Sequence, residues 1–232
     1  MALSILDSNG LKHPIVQKVI QIAKEIADQN KPLTAEILYN KAKKRLELSR
    51  KGLLKVIQYL FNKKILVEGS RYTRDTILLN PYRKKIYNFI KNNIGAHFSL
   101  IRKEALSGDD TKGSPGHLIW HVEKLLRFKL IKKLKVGKYT LFLPIKIDDN
   151  VGLIYFILRD ELNKKIITLF IDGRQLKKAD IYKLLDEPRE LVYYRLNNLM
   201  EFNILTTSEQ DSEDYILSPS QKELIKEILN AS

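Results

Sequence analysis

The amino-acid sequence predicts a mainly helical α+β fold with small β-hairpin wings, arranged as three tandem winged-helix domains. Three observations carry this expectation. Apolar residues recur at spacings of three and four through most of the chain. Short β-patterned runs follow the last helix of each group. One order of elements, helix, helix, turn, helix, strand, occurs three times along the 232 residues.

In the first group, "HPIVQKVIQIAKEIADQ" places Val16, Val19, Ile20, Ala23 and Ile26 on one helix face, and Pro14 suits a first turn, where its missing N–H costs nothing. "TAEILYNKAKKRL" is a second, shorter helix. "KGLLKVIQYLFNKK" is the third, with Leu53, Ile57 and Leu60 inward and Ser49 as N-cap, and "ILVE" reads as a short strand. The second group runs through "YRKKIYNFIKNNI" and "SLIRKEAL", then a turn "SGDDTKG", then "SPGHLIWHVEKLLRF" with Pro115 at its start and Leu118, Val122 and Leu125 inward. "LIKKLKV" and "YTLFLP" flank Gly137-Lys138 as a hairpin with a basic tip. In the third group Val151, Ile154, Leu158, Leu162, Ile166 and Leu169 predict one long helix or two short ones over about 150–171. "KADIYKLL", "EPRELVYYRLNNLMEF", the strands "ILTTS" and "DYILSP", and a terminal helix "SQKELIKEIL" complete it, with Ser220 and Glu223 as a capping box.

The groups superpose in register. Leu125, Phe128, Leu130 and Ile131 correspond to Leu199, Phe202, Ile204 and Leu205, each 74 residues on; Leu53, Ile57, Leu60, Ile65 and Leu66 lie 65 residues before Leu118, Val122, Leu125, Leu130 and Ile131. Charge divides the chain at the same places. Residues 1–80 carry a net +8, residues 81–146 a net +11 and residues 147–232 a net −5, within a total of +14. We therefore expect a basic domain 1–80 with a degenerate wing, a basic domain 81–147, and an acidic-winged domain 148–232 serving assembly.

The run from Gly95 to Pro144 resembles archaeal winged helix-turn-helix transcriptional regulators of the broad ArsR/MarR type. Their pattern "GxHFxxI" is met by Gly95, His97, Phe98 and Ile101. "SPGTLxYHLxxLxxxGLI" is met by Ser114, Pro115, Gly116, Leu118, His121, Val122, Leu125, Leu130 and Ile131, with Trp120 at the aromatic position. "GRYxxFxP" is met by Gly137, Lys138, Tyr139, Phe142 and Pro144. His117 stands where the family has a small hydroxyl residue, Lys129 where it has the turn glycine, and "GDDTKG" lengthens the turn. The resemblance implies a cytoplasmic, sequence-specific regulator that binds double-stranded DNA as a homodimer.

Helical periodicity turns His117, Trp120 and Lys124 outward on the third helix of domain two, with Ser114 and Gly116 at its start near the groove floor. Lys132, Lys133, Lys135 and Lys138 populate the wing, suited to phosphates. Arg50, Lys51 and Lys55 are the corresponding cations in domain one. Tyr155, Phe156 and Ile157 stand beside the inward stripe of the third group and, with Ile154 from that stripe, offer either a partner surface or further core, while its "SEQDSED" tip would repel phosphate. The spacing of His117 and His121 is that of a zinc pair. Leu118 stands in place of the zincin carboxylate and no third ligand is evident, so neither metal nor cofactor is expected.

Composition narrows the remaining classes. There is no cysteine, hence no disulfide framework, thiolate site or cysteine nucleophile. No basic-then-apolar leader follows Met1, and the longest apolar run, Val151 to Leu158, is far below the roughly 18 residues of a spanning helix, so no membrane insertion is expected. No nucleophile–base constellation or phosphate loop points to an enzyme. The alternative to a regulator is a protein-interaction scaffold of tandem winged helices, of the endosomal-sorting or polymerase-associated type, with a protein partner held through the third domain.

Overall fold

A computed structural model describes residues 10–106, 115–208 and 213–230. The fold is mainly helical, with two small three-stranded antiparallel sheets, and the chain divides into two compact units. One comprises Met1–Asn93 and His97–Lys133, the other Ile94–Ala96 and Leu134–Ser232.

In the first unit, α1 spans Pro14–Asp28, α2 Ala35–Lys43 and α3 Arg50–Asn62. Each start is capped by a side chain: His13 Nδ1 accepts from Ile15 N–H, Thr34 Oγ1 from Ile37 N–H, and Ser49 Oγ from Gly52 N–H. The three helices bury Val16, Val19, Ile26, Leu38, Leu53, Ile57 and Leu60 in one core. The expected strand "ILVE" is reduced to a single bridge, Leu66 to Thr73. Val67 turns aside into a second cluster with Ile77 and Phe128, and Gly69, with φ +71°, bends the chain just beyond it. A 3₁₀ turn at Ile77–Leu79 leads to α4, Pro81–Asn92, capped by Asn80 Oδ1. The next helix starts at Phe98, with His97 Nδ1 accepting from Leu100 N–H. It is a short α5, Phe98–Leu100, that widens into a π-type turn over Ile101–Ala105. The expected "SGDDTKG" turn lies outside the described residues, and α6 follows as Pro115–Arg127.

Strands β1 (Ala96–His97), β2 (Ile131–Val136) and β3 (Tyr139–Pro144) form a sheet in the order β1-β3-β2, and Gly137, with φ +51°, makes the expected tight turn. In the second unit the apolar stripe over 150–171 forms two helices, α7 Asp149–Leu158 and α8 Glu161–Thr168, because Asp160 caps α8 by accepting from Asn163 N–H. Then come β4 (Leu176–Lys177), α9 (Lys178–Leu185), α10 (Arg189–Glu201), β5 (Leu205–Thr207), β6 (Asp214–Leu217) and α11 (Pro219–Asn230), with strand order β4-β6-β5. The Ser220–Glu223 capping box does not form. Helix α11 begins at Pro219, Lys222 N–H donates to the Ser218 carbonyl, and Ser220 sits inside the first turn. Ile154, Ile166, Phe170, Val192, Leu196 and Ile225 are fully buried in this unit's core.

Two glycines allow a close approach here. A Cβ on Gly95, whose φ is +77°, would lie 2.6 Å from the Gly152 carbonyl oxygen, and one on Gly152 would lie 2.5 Å from Leu143. Arg159 holds the same loop, donating to the Gly95 carbonyl at 3.1 Å and the Ile94 carbonyl at 3.0 Å.

Helices α3, α6 and α10 end alike. Lys64, Lys129 and Asn203 occupy equivalent positions, and all three adopt left-handed φ near +50°, at 56°, 50° and 54°. In each case the following amide reaches back five residues, Ile65 to Leu60, Leu130 to Leu125 and Ile204 to Leu199, at 3.0, 3.1 and 2.9 Å. This is the Schellman closure, which prefers glycine where two of these helices carry lysine. Replacing Lys129 by Gly removes a Cβ penalty of about 1 kcal/mol and is expected to raise the midpoint of chemical unfolding. Gly95→Ala adds a backbone clash to the left-handed penalty and should cost roughly 3 kcal/mol or more, whereas Gly137→Ala, with nothing within 4 Å of its Cβ, should cost only about 1 kcal/mol in the same assay.

Candidate nucleic-acid interface

Helix α6 buries Leu118, His121, Val122 and Leu125 and turns Gly116, His117, Ile119, Trp120, Glu123 and Arg127 to solvent. Trp120 is 46% exposed and Ile119 50%, a large apolar area to leave open on one helix face. Lys124 is half-buried, with Nζ 5.2 Å from the Trp120 ring centre. Burial, then the neighbouring Arg127 and Arg83, push the Lys124 amine below its ordinary range. Ser114, expected at the start of this helix, lies outside the described residues.

Beneath this face is a cluster that the sequence did not single out. Arg83, only 2% exposed, donates from Nε to the Ile77 carbonyl at 2.7 Å. Its guanidinium lies 4.5 Å from the Tyr72 ring centre and 5.9 Å from that of Trp120, and no carboxylate among the described residues pairs with it. A signal was present: Arg83 shares the α4 face of Ile86 and Ile90, at spacings of three and seven. Arg74 and Arg127 donate to the carbonyls of Lys129 and Glu68, so two further arginines join the segment after α3 to the end of α6.

The buried His121 ring stacks on Tyr82 at 5.8 Å and meets Trp120 edge-on at 4.8 Å; its Nε2 is 3.0 Å from His117 Nε2, while its Nδ1 has no hydrogen-bond partner among the described residues. Desolvation first, then His117 and Arg83, push the His121 imidazole down to about 4, so it is neutral at pH 7.

The wing lysines are unequal. Lys133 is committed to an ion pair with Glu123 at 2.7 Å, and Lys132 is half-buried. Lys135 and Lys138 are exposed near the turn, Lys135 Nζ reaching the Lys138 carbonyl at 3.5 Å. On α3, Arg50 and Lys51 are exposed, Lys55 is half-buried, and Leu54 is exposed beside them.

In the second unit, Ile154 and Ile157 are buried in its core, so they offer no surface; Tyr155 and Phe156 are half-buried, with Phe156 against Tyr139 at 5.3 Å. The most exposed apolar side chains there are instead Leu184 on α9 and Tyr194 on α10, with Leu191 three positions before Tyr194. Most of the acidic "SEQDSED" segment lies outside the described residues; its Glu213 pairs with Lys177 at 3.2 Å.

No known family profile matches the chain. One relative does. An uncharacterized HTH-type transcriptional regulator of Methanocaldococcus jannaschii is 29% identical over 168 residues, covering 71% of this chain. The matched stretch is 40% of the relative, so this chain spans well under half of that protein's length. Among the described residues, no three His, Asp or Glu side chains gather around a common point, and no helix is long and apolar enough to cross a membrane.

His121 gives this cluster a pH dependence of definite sign. The folded imidazole holds its proton only below about 4, whereas the unfolded one titrates near its ordinary 6.5. Between those values the unfolded chain binds the proton that the folded chain refuses, so this contribution to stability is intact above about pH 6.5 and lost as pH falls. Urea unfolding should show the stability of the wild type falling, relative to that of His121→Phe, between about pH 7 and pH 4.5. A constant difference would mean that His121 titrates alike in both states.

Proposed function

We propose that this chain is a DNA-binding transcriptional regulator of the helix-turn-helix class, that α6 reads base edges, and that the wing lysines hold phosphates. The observation that carries the reading is the outward face of α6, where a half-exposed Trp120 and Ile119 lie beside His117 and Lys124 on a helix backed by a buried arginine. Apolar side chains of this kind suit thymine methyl groups, and imidazole offers a donor or an acceptor to a base edge. The resemblance of residues 95–144 to winged-helix regulators and the name of the Methanocaldococcus jannaschii relative, an HTH-type transcriptional regulator, support it. In this reading the chain carries three winged-helix segments, 1–80, 81–147 and 148–232. Arg50, Lys51 and Lys55 add phosphate contacts from the first, and the third serves pairing of two copies.

The lysines give affinity without sequence information, and the α6 face gives discrimination. Lys135→Ala with Lys138→Ala should weaken selected and random duplexes alike and flatten the dependence of log K on log salt by up to about two units. Lys133→Ala should do less, because its charge is already paired with Glu123. His117→Ala should cost about 1 to 3 kcal/mol on a duplex recovered by selection from random sequence, and much less on a scrambled one. Titration of each variant on both duplexes at fixed salt separates the two effects. If selection yields no sequence, or if the lysine pair and His117→Ala lose affinity in the same ratio on both duplexes, α6 is not a reader.

A further inference from the structure

The contact between His117 and His121 is peculiar to this chain within the resemblance, because His117 replaces a small hydroxyl residue. The two Nε2 atoms lie 3.0 Å apart in a hydrogen bond, with the rings at 82°. With both imidazoles neutral, one Nε2–H donates to the other Nε2. The same separation is that of two ligands on one metal ion. With metal–nitrogen bonds of about 2.0 to 2.1 Å, a 3.0 Å separation subtends roughly 95° at the metal, whereas the tetrahedral angle preferred by zinc would need about 3.4 Å. Near-square angles and imidazole donors belong to Cu²⁺ and Ni²⁺.

We propose that His117 and His121 form a two-histidine site for a tetragonal divalent transition ion, Cu²⁺ or Ni²⁺. The ion takes the place of the shared hydrogen, and the ring that donated it carries its proton on Nδ1 instead, so no net proton is released. His121 is held in place by Tyr82 and Trp120, which spares the site much of the cost of ordering one ligand. His117, the other ligand, is an exposed residue. Arg83 and Lys124 face the same cluster and repel any cation. Binding therefore rests on nitrogen donation rather than on charge, which excludes Ca²⁺ and Mg²⁺, ions that need oxygen ligands. The site does not depend on whether α6 reads DNA.

Trp120, the chain's only tryptophan, sits 4.8 Å from the His121 ring and reports directly on a paramagnetic ion there. Titration of the full chain with CuCl₂ and with NiCl₂ near neutral pH is expected to quench its fluorescence saturably at one ion per chain, with copper bound more tightly than nickel. ZnCl₂ should compete weakly without comparable quenching. His117→Ala alters an exposed position, so the fold should survive, as checked by its circular dichroism and unfolding midpoint, while saturable quenching is lost. The copper complex should show hyperfine coupling to two imidazole nitrogens by electron paramagnetic resonance. Quenching that does not saturate, quenching that persists in His117→Ala, or coupling to a single nitrogen would overturn the proposal.

Discussion

A guanidinium buried without a carboxylate is costly unless something replaces its water, and Arg83 shows what does so in the first unit. The Ile77 carbonyl accepts its Nε–H, and the rings of Tyr72 and Trp120 cover its charge. Cation–π contacts are worth about 2 kcal/mol or more when desolvated, and the carbonyl would itself be left unpaired without the arginine. The contact also spans the chain. Tyr72 and Ile77 belong to the segment after α3, Arg83 to α4 and Trp120 to α6, so one side chain fixes the relation of three elements distant in sequence. The small cluster of Val67, Ile77 and Phe128 lies along the same seam and supplies apolar burial where Arg83 supplies polar pairing.

How far the sequence disclosed this depends on how local the cause is. The third helices were readable because burial imposes a period of three to four, and the inward positions Leu118, Val122 and Leu125 are buried as that period requires. The tight turn at Gly137 was readable because its conformation belongs to a single residue. The break between α7 and α8 left no mark in the apolar stripe, which runs through it; it comes from Asp160, whose cap bond overrides the period. Likewise "ILVE" has strand composition, yet only Leu66 joins a bridge, because Val67 is drawn toward Phe128, 61 positions later.

The interface divides along the same line. That His117 and Trp120 are exposed follows from helix geometry, and the structure puts both on the open side of α6. That Lys133 is spent on Glu123 does not follow from it, because the pair joins a strand to a helix. Ile157 lies beside the stripe of three-and-four spacing that includes Ile154, yet α7 is covered on more than one side, and both residues belong to the core. Arg83 is hard to read from sequence because a charge on an apolar face reads as an exception rather than as the residue that the face is built around.

The placement of α3 and α6 within one compact unit has a consequence for what such a molecule can measure. Through Arg83, the Val67–Ile77–Phe128 cluster and the carbonyl contacts of Arg74 and Arg127, the two third helices belong to one packed body. Under the proposed reading the unit acts as a ruler. A duplex with two contacted tracts would tolerate any bases in the gap between them, but a single inserted base pair would shift the far tract by about 3.4 Å along the helix axis and turn it out of phase with its helix.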